Sequence, residues 1–301
     1  MKRRIHASSR ASALLIVLWA ILVMSICVLG LVGYLHTCID ETTALKKDSR
    51  ARQLAESGVA MGMHPQVARD DPLLHHAVAP GEGFDVTVRS EGSRININYV
   101  IQRRQWIVLQ RLLADWNVEA TDIANVTSAL QHPDITNQAL PLVVLPSGTD
   151  NQITTGIQFQ DLDQMLALNG MSAVAAVKPD WRDSFTVWSD GPLDISAAPA
   201  DLIAAVTGEG DARAEQFVEA RNGPDGIEGT DDDIVFTDLN QARVMLGMSE
   251  DAFNALNGLV SIGDSTVRIE STGVAGNYRR KIMVVARRNI NPPAILVWQE
   301  Q

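Results

Sequence analysis

The chain has 301 residues, of which 46% are hydrophobic, and a formal net charge of −11 with a pI near 5.0. This acidic balance argues against nucleic acid or an anionic lipid surface as the main binding partner. The apolar content is ample for a buried core, and the length suggests one or two domains besides any anchor. The two cysteines, Cys27 and Cys38, lie near the N-terminus, so the rest of the chain has no disulfide framework.

An uncharged apolar run from Ala13 to Leu35 follows a basic N-terminus that contains Lys2, Arg3 and Arg4. At 1.5 Å per residue, its roughly 23 residues span about 35 Å as a helix, enough to cross the hydrocarbon core of a bilayer. Basic residues precede the run and acidic residues follow it. The positive-inside rule therefore predicts a single-pass protein with a short cytoplasmic tail and its bulk outside the cytoplasm.

The segment after the apolar run predicts a continuation of the same helix. Residues 40–62 contain no proline and carry a stripe of small and apolar residues at helical spacing, from Ala51 to Gly62. We therefore predict one helix over residues 12–63 that ends before Pro65. The stripe either packs on this protein's own sheet or lets neighbouring helices approach closely. A cleaved secretory signal peptide is the alternative, but its apolar core is usually only about 7 to 15 residues long.

Strand patterns occur at both ends of the remaining chain. Apolar and polar side chains alternate, or apolar residues run together, over residues 84–89, 267–270, 281–286 and 294–298. Because these segments are split between the two ends, we expect them to form one small antiparallel sheet. His75 and His76 precede the first strand and show no metal-ligand spacing, which is typical of an exposed loop.

Helical patterns prevail between the strands. They form three clusters, over residues 106–113 with 123–130, over 162–168, and over 201–206 with 212–221. Pro141 and Pro146 mark a loop between the first two clusters, and Pro199 marks a helix start. The predicted fold is therefore α+β, with a long N-terminal helix packed on a small antiparallel sheet and an inserted all-helical domain.

The N-terminal arrangement resembles the type IV pilin and type II secretion pseudopilin class, in which a prepilin peptidase removes a short basic leader. The resemblance implies a leader of residues 1–11 and cleavage between Ala11 and Ser12. Ala11 stands where the class has Gly, and Ile16 stands where it has Glu at the fifth mature position. The assembly helix of residues 12–63 would then begin with contact residues that include Ile16, Leu18 and Leu22.

Along most of its length the chain resembles the minor pseudopilin K (GspK) family within that class. The segments that carry this resemblance are extended or helix-leading elements at residues 94–98, 159–166, 185–189, 193–199, 272–287 and 297–300. The family typically lacks the Glu that Ile16 replaces, and it is placed at the tip of the pseudopilus. The resemblance implies a pilin-like domain of residues 64–98 and 262–301, and an insertion of residues 99–261 built from two SAM-like units.

An acidic, glycine-rich loop over residues 222–233 is the sharpest local signal. Calcium prefers six to eight oxygen ligands, and glycines let carbonyl groups turn toward the ion. The loop departs from the EF-hand pattern but resembles the Gly-Asp-rich calcium loops of exported bacterial proteins. We predict a structural calcium ion; the alternative is a solvated acidic turn. The expected ligands come from Asp225, Glu228, Thr230, Asp231 and Asp233.

Residues 205–214 have the pattern of a helix-hairpin-helix turn, which in some proteins binds the phosphates of DNA. Glu209 and Asp211 repel phosphate, so a scaffold for protein contacts is the favoured interpretation. The sequence contains no nucleophile elbow, Walker A loop or Rossmann fingerprint. We therefore predict a protein that is not an enzyme and binds no nucleic acid.

The expected function is that of a GspK-like minor pseudopilin that nucleates and caps a type II secretion pseudopilus. The resemblance implies partners among the I-type and J-type minor pseudopilins, the prepilin peptidase, the inner-membrane secretion platform and membrane lipid. It also implies a location in the bacterial inner membrane with the bulk of the chain in the periplasm. The alternatives are a membrane-tethered calcium-binding adhesin or scaffold, an unrecognised exported hydrolase, and a minor pilin of a type IV pilus.

Overall fold

The computed structural model describes residues 8–133, 139–146, 153–230, 232–256, 258–290 and 292–300. Its α-helices are α1 (Ser8–Gly62), α2 (Ile97–Arg103), α3 (Trp106–Asp115), α4 (Ala120–Gln131), α5 (Met171–Val177), α6 (Ala200–Thr207), α7 (Asp211–Arg221), α8 (Leu239–Met245) and α9 (Glu250–Ala255). Its strands are β1 (His75–Ala79), β2 (Glu82–Ser90), β3 (Ile95–Asn96), β4 (Leu142–Pro146), β5 (Ile153–Ile157), β6 (Phe185–Thr186), β7 (Leu193–Asp194), β8 (Val260–Ser261), β9 (Thr266–Ala275), β10 (Tyr278–Arg287) and β11 (Ala294–Glu300).

The main sheet combines strands from both ends of the chain, as the sequence predicts. In the described part of the chain it has five antiparallel strands in the order β1-β2-β9-β10-β11. The pairing of β2 with β9 runs from Glu82 opposite Ala275 to Ser90 opposite Val267. The chain leaves this sheet after Ser90 and re-enters it at Thr266. The remaining described elements, α2 to α9 and β3 to β8, lie between these two points and form the insertion. The α+β fold with a long N-terminal helix on a small antiparallel sheet is therefore confirmed.

The small-residue stripe of α1 packs on the protein's own sheet. Ala51, Ala55 and Val59 are at most 3% exposed, and they lie against the alternate residues of β2, β9 and β10 that point to the same face. A Cβ atom added to Gly62 would lie 2.8 Å from Ile269 Cγ2, and one added to Gly273 would overlap the backbone of α1. Of the two interpretations of the stripe, packing on the sheet is thus the one observed for this half of α1.

The C-terminal end of α1 is capped by an arginine that follows β10. Arg288 follows β10, and its Nη1 donates to the carbonyl oxygens of Gly62 at 3.3 Å and Val67 at 3.1 Å. The bond to Gly62 occupies a carbonyl group of the last helical residue, which has no partner within α1. Burial lowers the pKa of Arg288, and the nearby Arg69 lowers it further.

The insertion has its own core, which is larger than that under the sheet. This core contains residues from Ile95 to Val260, and they include the fully buried side chains of Trp181, Phe185 and Phe217. The boundaries at 98/99 and 261/262 and the division into two SAM-like units stay predictions.

Several local predictions inside the insertion were wrong. It is not all-helical, because β4 and β5 form an antiparallel hairpin where Pro141 and Pro146 predicted a loop. Two short parallel pairs, β3 with β6 and β7 with β8, also lie within it. The strands of these two parallel pairs depend on partners distant in sequence, which local patterns do not reveal. The predicted helix of residues 162–168 is a 3₁₀ turn over Leu162–Ala167, closed by a capping box of Asp161 and Gln164.

His75 and His76 lie in edge strand β1 and not in a loop. Both are exposed, and the His75 ring is paired with the Asp85 carboxylate on β2. The strand lacks the alternating burial that sequence patterns detect, because none of its residues is buried. It is held by its backbone pairing with β2 and by the contacts of His75 with Asp85 and of His76 with Phe84.

We expect the substitution Gly273→Ala to destabilise the protein, because the new methyl group would overlap the α1 backbone. The free energy of unfolding should fall by roughly 2–4 kcal/mol, which corresponds to a melting temperature lower by about 5–10 °C. The measurement is thermal unfolding of the detergent-solubilised full chain by circular dichroism. Thr272→Ala, on the opposite face of the same strand, is the control and should change the melting temperature by under about 2 °C. Equal melting temperatures for the two variants would contradict the close approach.

Candidate functional site

The first half of α1 is an apolar helix that no other described part of the chain covers. Within the described residues, α1 is the one helix that is long and apolar enough to span a membrane by length and composition. The predicted contact residues Ile16, Leu18 and Leu22 are 66%, 64% and 53% exposed. Ala11 and Ser12 lie within the helical backbone of α1, and the structure does not describe their side chains. This half of α1 therefore has no contact with its own sheet and is free to contact lipid or another helix.

A buried glutamate joins the sheet to the insertion. Glu91 is 1% exposed and follows β2 directly. Its Oε1 accepts a hydrogen bond of 2.6 Å from the Thr186 hydroxyl of β6, and its Oε2 accepts one of 3.0 Å from Arg268 Nε of β9. Arg94 lies beside this group, and burial and then the Arg268 charge lower its pKa. Glu91 thus has one hydrogen-bond partner in the insertion, Thr186, and one in the sheet, Arg268.

Two aspartates, Asp264 and Asp190, form a second contact between the insertion and the sheet. Asp264 accepts hydrogen bonds from the backbone amides of Asp190 at 2.9 Å and Thr266 at 2.6 Å. Asp190 in turn accepts from the amide and the hydroxyl of Ser265, each at 2.9 Å. Burial raises the pKa of Asp264 despite these amides. The loop before β9 is therefore tied to the loop after β6 at two points.

The acidic loop of residues 222–233 folds around its own amides. Asp225 Oδ1 accepts from the Ile227 amide at 2.7 Å, and Asp233 Oδ2 accepts from the Gly229 amide at 2.6 Å. The Thr230 hydroxyl lies 2.7 Å from Asp232 Oδ1. This contact lowers the pKa of Asp232 most, followed by the Asp225 amide. Of the predicted ligands, Asp225, Thr230 and Asp233 are thus brought into one hydrogen-bonded loop.

The two remaining predicted ligands are not part of this hydrogen-bonded group. Glu228 is exposed and lines a surface cavity with Arg221 and Asn222, and Asp231 lies outside the described residues. Over the part of the chain that the structure describes, no three His, Cys, Asp or Glu side chains form a group that could hold a metal ion. Because Asp231 lies outside the described residues, the calcium site stays a prediction.

Arg221 anchors the base of the loop from inside the protein. It is 3% exposed, and its Nη1 donates to the carbonyl oxygens of Ile195 at 3.1 Å and Ala198 at 2.7 Å. Burial lowers the pKa of Arg221, while the charges of Glu228, Asp194 and Asp233 raise it. This buried cation is therefore a fixed counter-charge for acidic residues on both sides.

The hairpin between α6 and α7 is acidic, as the sequence predicts. Asp115 of α3, Asp201 of α6 and Asp211 of α7 line one cavity of about 360 Å³. Burial raises the pKa of Asp115, and so do the charges of Asp211 and Asp201. Arg213 is paired with Glu209 on the hairpin itself. Carboxylates in this position repel phosphate groups, and among the described residues that line this cavity the one basic side chain is Arg111 of α3, which lies against Gly208.

Comparison with known proteins identifies the fold. No protein-family model matches the chain, and no curated protein matches it. Among solved structures, it is similar to a chain of the GspK–GspI–GspJ complex from the enterotoxigenic Escherichia coli type 2 secretion system. The TM-score is 0.53 at 14% identity, and the match covers 88% of this chain and 98% of that chain. The chain has a GspK-like fold.

The sequence did not single out the residues that hold this GspK-like fold together. Glu91, Asp264 and Arg288 each follow or precede a predicted strand as ordinary surface-type residues. Their partners lie 74 to 226 positions away, in Thr186, Asp190 and Gly62, so no local spacing reveals them. Arg221 had one available signal, because it directly precedes the acidic loop at the end of a helix.

We expect Glu91→Ala to destabilise the protein by roughly 3–5 kcal/mol, because it removes the buried acceptor of Thr186 and leaves the largely covered Arg268 charge without its partner. Glu91→Gln keeps an acceptor for Thr186 and should cost less, about 1–3 kcal/mol. Glu82→Gln is the matched control: it removes the partner of Arg50 in a partly exposed ion pair and should cost no more than about 1 kcal/mol. Thermal unfolding of the full chain measures all three, and an equal loss for Glu91→Gln and Glu82→Gln would contradict the junction.

Proposed function

We propose that this protein is a pseudopilin that works at the tip of a type II secretion pseudopilus. The observation that carries the proposal is α1, which packs one face on its own sheet from Ala51 to Gly62 while its first half is apolar and exposed. The GspK-like fold supports it, because the similar structure is part of a complex from a type 2 secretion system. In this role the chain is anchored by α1 in the bacterial inner membrane, with its bulk in the periplasm.

Ile16 supports a position at the tip. Its apolar side chain is 66% exposed on the first turns of α1 and carries no carboxylate. A helix buried among other helices in hydrocarbon needs such a carboxylate to neutralise the N-terminal amine of an adjoining subunit. Without it, we infer that a subunit cannot pair with one above it, so the chain starts or ends a filament.

The insertion supports the same position by its placement. It leaves the sheet at Ser90 and returns at Thr266, at the end where α1 finishes and away from the apolar half. A second subunit that stacked on this end would contact the insertion and not α1. The proposed role is therefore to nucleate and cap assembly, with no reaction catalysed by the chain.

The proposed partners follow from this role. They are the I-type and J-type minor pseudopilins beside α1, the prepilin peptidase acting between Ala11 and Ser12, the inner-membrane secretion platform, and membrane lipid around the apolar half of α1. Removal of residues 1–11 would expose Ser12 as the new N-terminus.

Deletion of the gene in the native host should stop export of the proteins that its type II system secretes. Those proteins should accumulate in the periplasm, because no pseudopilus forms without its nucleating subunit. Immunoblots of medium and periplasm measure the distribution, and expression of the full chain from a plasmid is the control. Normal export in the deletion strain would contradict the proposal.

Mass spectrometry of the mature protein separates this role from a membrane-tethered scaffold. We expect the N-terminal peptide to begin at Ser12 in cells that contain prepilin peptidase. In cells without the peptidase it should begin at Met1. An intact leader in both strains would favour the tethered adhesin or scaffold.

We also propose a structural calcium ion in the acidic loop, held by Asp225, Thr230, Asp231 and Asp233, with Glu228 as a further ligand. The inward-facing carboxylates support this, and so does Oδ1 of Asp233, which is buried and has no hydrogen-bond partner among the described residues. The ion would relieve the repulsion between adjacent aspartates and hold the loop in place.

Calcium at a hundred times its dissociation constant should stabilise the full chain by about 2.7 kcal/mol relative to a chelated sample. The melting temperature of the detergent-solubilised protein measures this difference. The double variant Asp231→Asn with Asp233→Asn should abolish it, whereas Asp251→Asn on α9 should leave it intact. A melting temperature that is the same with calcium and with chelator would remove the calcium proposal and leave the pseudopilin role untouched.

A further inference from the structure

A cleft lies between the insertion and the face of the main sheet that points away from α1. The strand register places alternate residues of β2, β9, β10 and β11 in rows on this face. One row consists of Arg89, Arg268, Val285 and Val297, and the next consists of Thr87, Glu270, Met283 and Gln299. All of them except Thr87 line the cleft. The floor of the cleft is therefore charged over β2 and β9 and largely apolar over β10 and β11.

Two adjoining cavities make up this cleft. Their volumes are about 450 Å³ and 560 Å³, which are within the usual range of ligand sites. The residues that line both cavities are Glu91, Arg94, Asp183, Arg268 and Glu270. The first cavity extends from this shared centre to Arg89, and the second extends to Val297 on edge strand β11. We call the two cavities together the junction cleft.

Arg94 lies at the centre of the junction cleft with unused hydrogen-bond donors. Its side chain is only 16% exposed, yet within the described part of the chain its guanidinium donates no hydrogen bond. Its ion pair there is with Asp183, whose Oδ1 lies 3.7 Å from Arg94 Nη2 and whose side chain is 77% exposed. A guanidinium has five N–H donors, and covering a cation without giving it an acceptor costs free energy. The centre of the cleft is therefore short of a hydrogen-bond acceptor.

Most other charges that line the junction cleft are already paired. The pairs are Glu91 with Arg268, Glu270 with Lys281, and Asp163 with Arg182. Water screens the exposed Asp183, and Arg89 has no ion pair within the described residues. Asp161 and Glu228 each line only one of the two cavities, so they lie toward its ends. The uncompensated charge at the centre is thus positive.

These features define the chemistry of an occupant. A carboxylate matches the planar guanidinium of Arg94, because it can accept two parallel hydrogen bonds. Neighbouring strands are about 4.8 Å apart, so the apolar floor at Val297 lies about 10 Å from Arg268, two strands away. An extended chain rises about 3.3 Å per residue, and every second side chain points to the same face. An acidic and an apolar side chain two to four residues apart would therefore reach both places.

We propose that the junction cleft binds an extended segment of a partner protein, which places one carboxylate on Arg94 and one apolar side chain on the floor at Val297. A small free anion would use the centre and leave the apolar floor open. The net charge of −11 repels a segment with many acidic residues, so the segment carries one carboxylate in a neutral stretch. The cleft points away from α1, so this inference does not depend on how α1 assembles.

Fluorescence anisotropy with the detergent-solubilised full chain tests the site. The probe is a capped, dye-labelled peptide of serines with one glutamate and, four positions later, one leucine. We expect saturable binding that Arg94→Gln weakens at least about tenfold, because charge-assisted hydrogen bonds are lost. Arg279→Gln is the matched control: it removes an exposed arginine at the far end of β10 and should change the affinity by less than about twofold.

Changes in the probe test the same contacts on the unaltered chain. Glutamine in place of the glutamate should weaken binding at least about tenfold, and serine in place of the leucine at least about threefold. Free glutarate, which lacks the leucine, should displace the peptide only at a concentration at least about tenfold higher. Arg94→Gln should melt within a few degrees of the wild type, because its guanidinium donates no hydrogen bond within the described residues.

Three results would overturn the proposal. The first is an absence of saturable binding to the wild-type chain, and the second is an equal affinity of the peptide for Arg94→Gln and Arg279→Gln. The third is displacement by glutarate at the same concentration as by unlabelled peptide, which would show a site for small anions and not for an extended segment. None of the three results changes the proposed function, which the export assay tests.

Discussion

The close contact between α1 and β9 is the constraint on which the rest of the structure depends. Gly58 and Gly62 on the helix face Ser271 and Ile269 on the strand, and Gly273 lies against the helix backbone. Residues without side chains let the two backbones approach so closely that alternate residues of three strands bury one face of α1. Because this packing ends near Ala51, the first half of α1 extends from the sheet as an exposed apolar helix.

The direction of the insertion follows from the same constraint. Since β2 and β9 are fixed under α1, the chain leaves and re-enters the sheet at one end, and Glu91 and Asp264 lie at that exit. Buried hydrogen-bonded carboxylates cost much to separate from their partners, so they favour one orientation of the insertion on the sheet. The first half of α1 is therefore apolar and exposed, and the insertion lies beyond the other end of the helix.

Long segments with strong periodicity were predicted well. The helix expected over residues 12–63 is α1 at Ser8–Gly62, and the four predicted strands are the cores of β2, β9, β10 and β11. The helices with clear apolar spacing, α3, α4, α6 and α7, also lie where expected. Shorter elements failed: α2 begins inside a segment expected to be extended, where Asn96 caps it, and α8 and α9 were not predicted. Their local patterns are too short for periodicity to outweigh tertiary packing.

The sequence by itself determined the long apolar helix, the α+β class, the position of the acidic loop and the absence of a carboxylate at Ile16. These depend on composition and on spacing within one segment, and both can be read along the chain. Only the tertiary structure decided that the small-residue stripe faces its own sheet, that Glu91 and Arg221 are buried charges, and that Arg94 lies between the sheet and the insertion. Each of these depends on residues far apart in sequence, whose contact is set by sheet register and helix packing and not by local pattern.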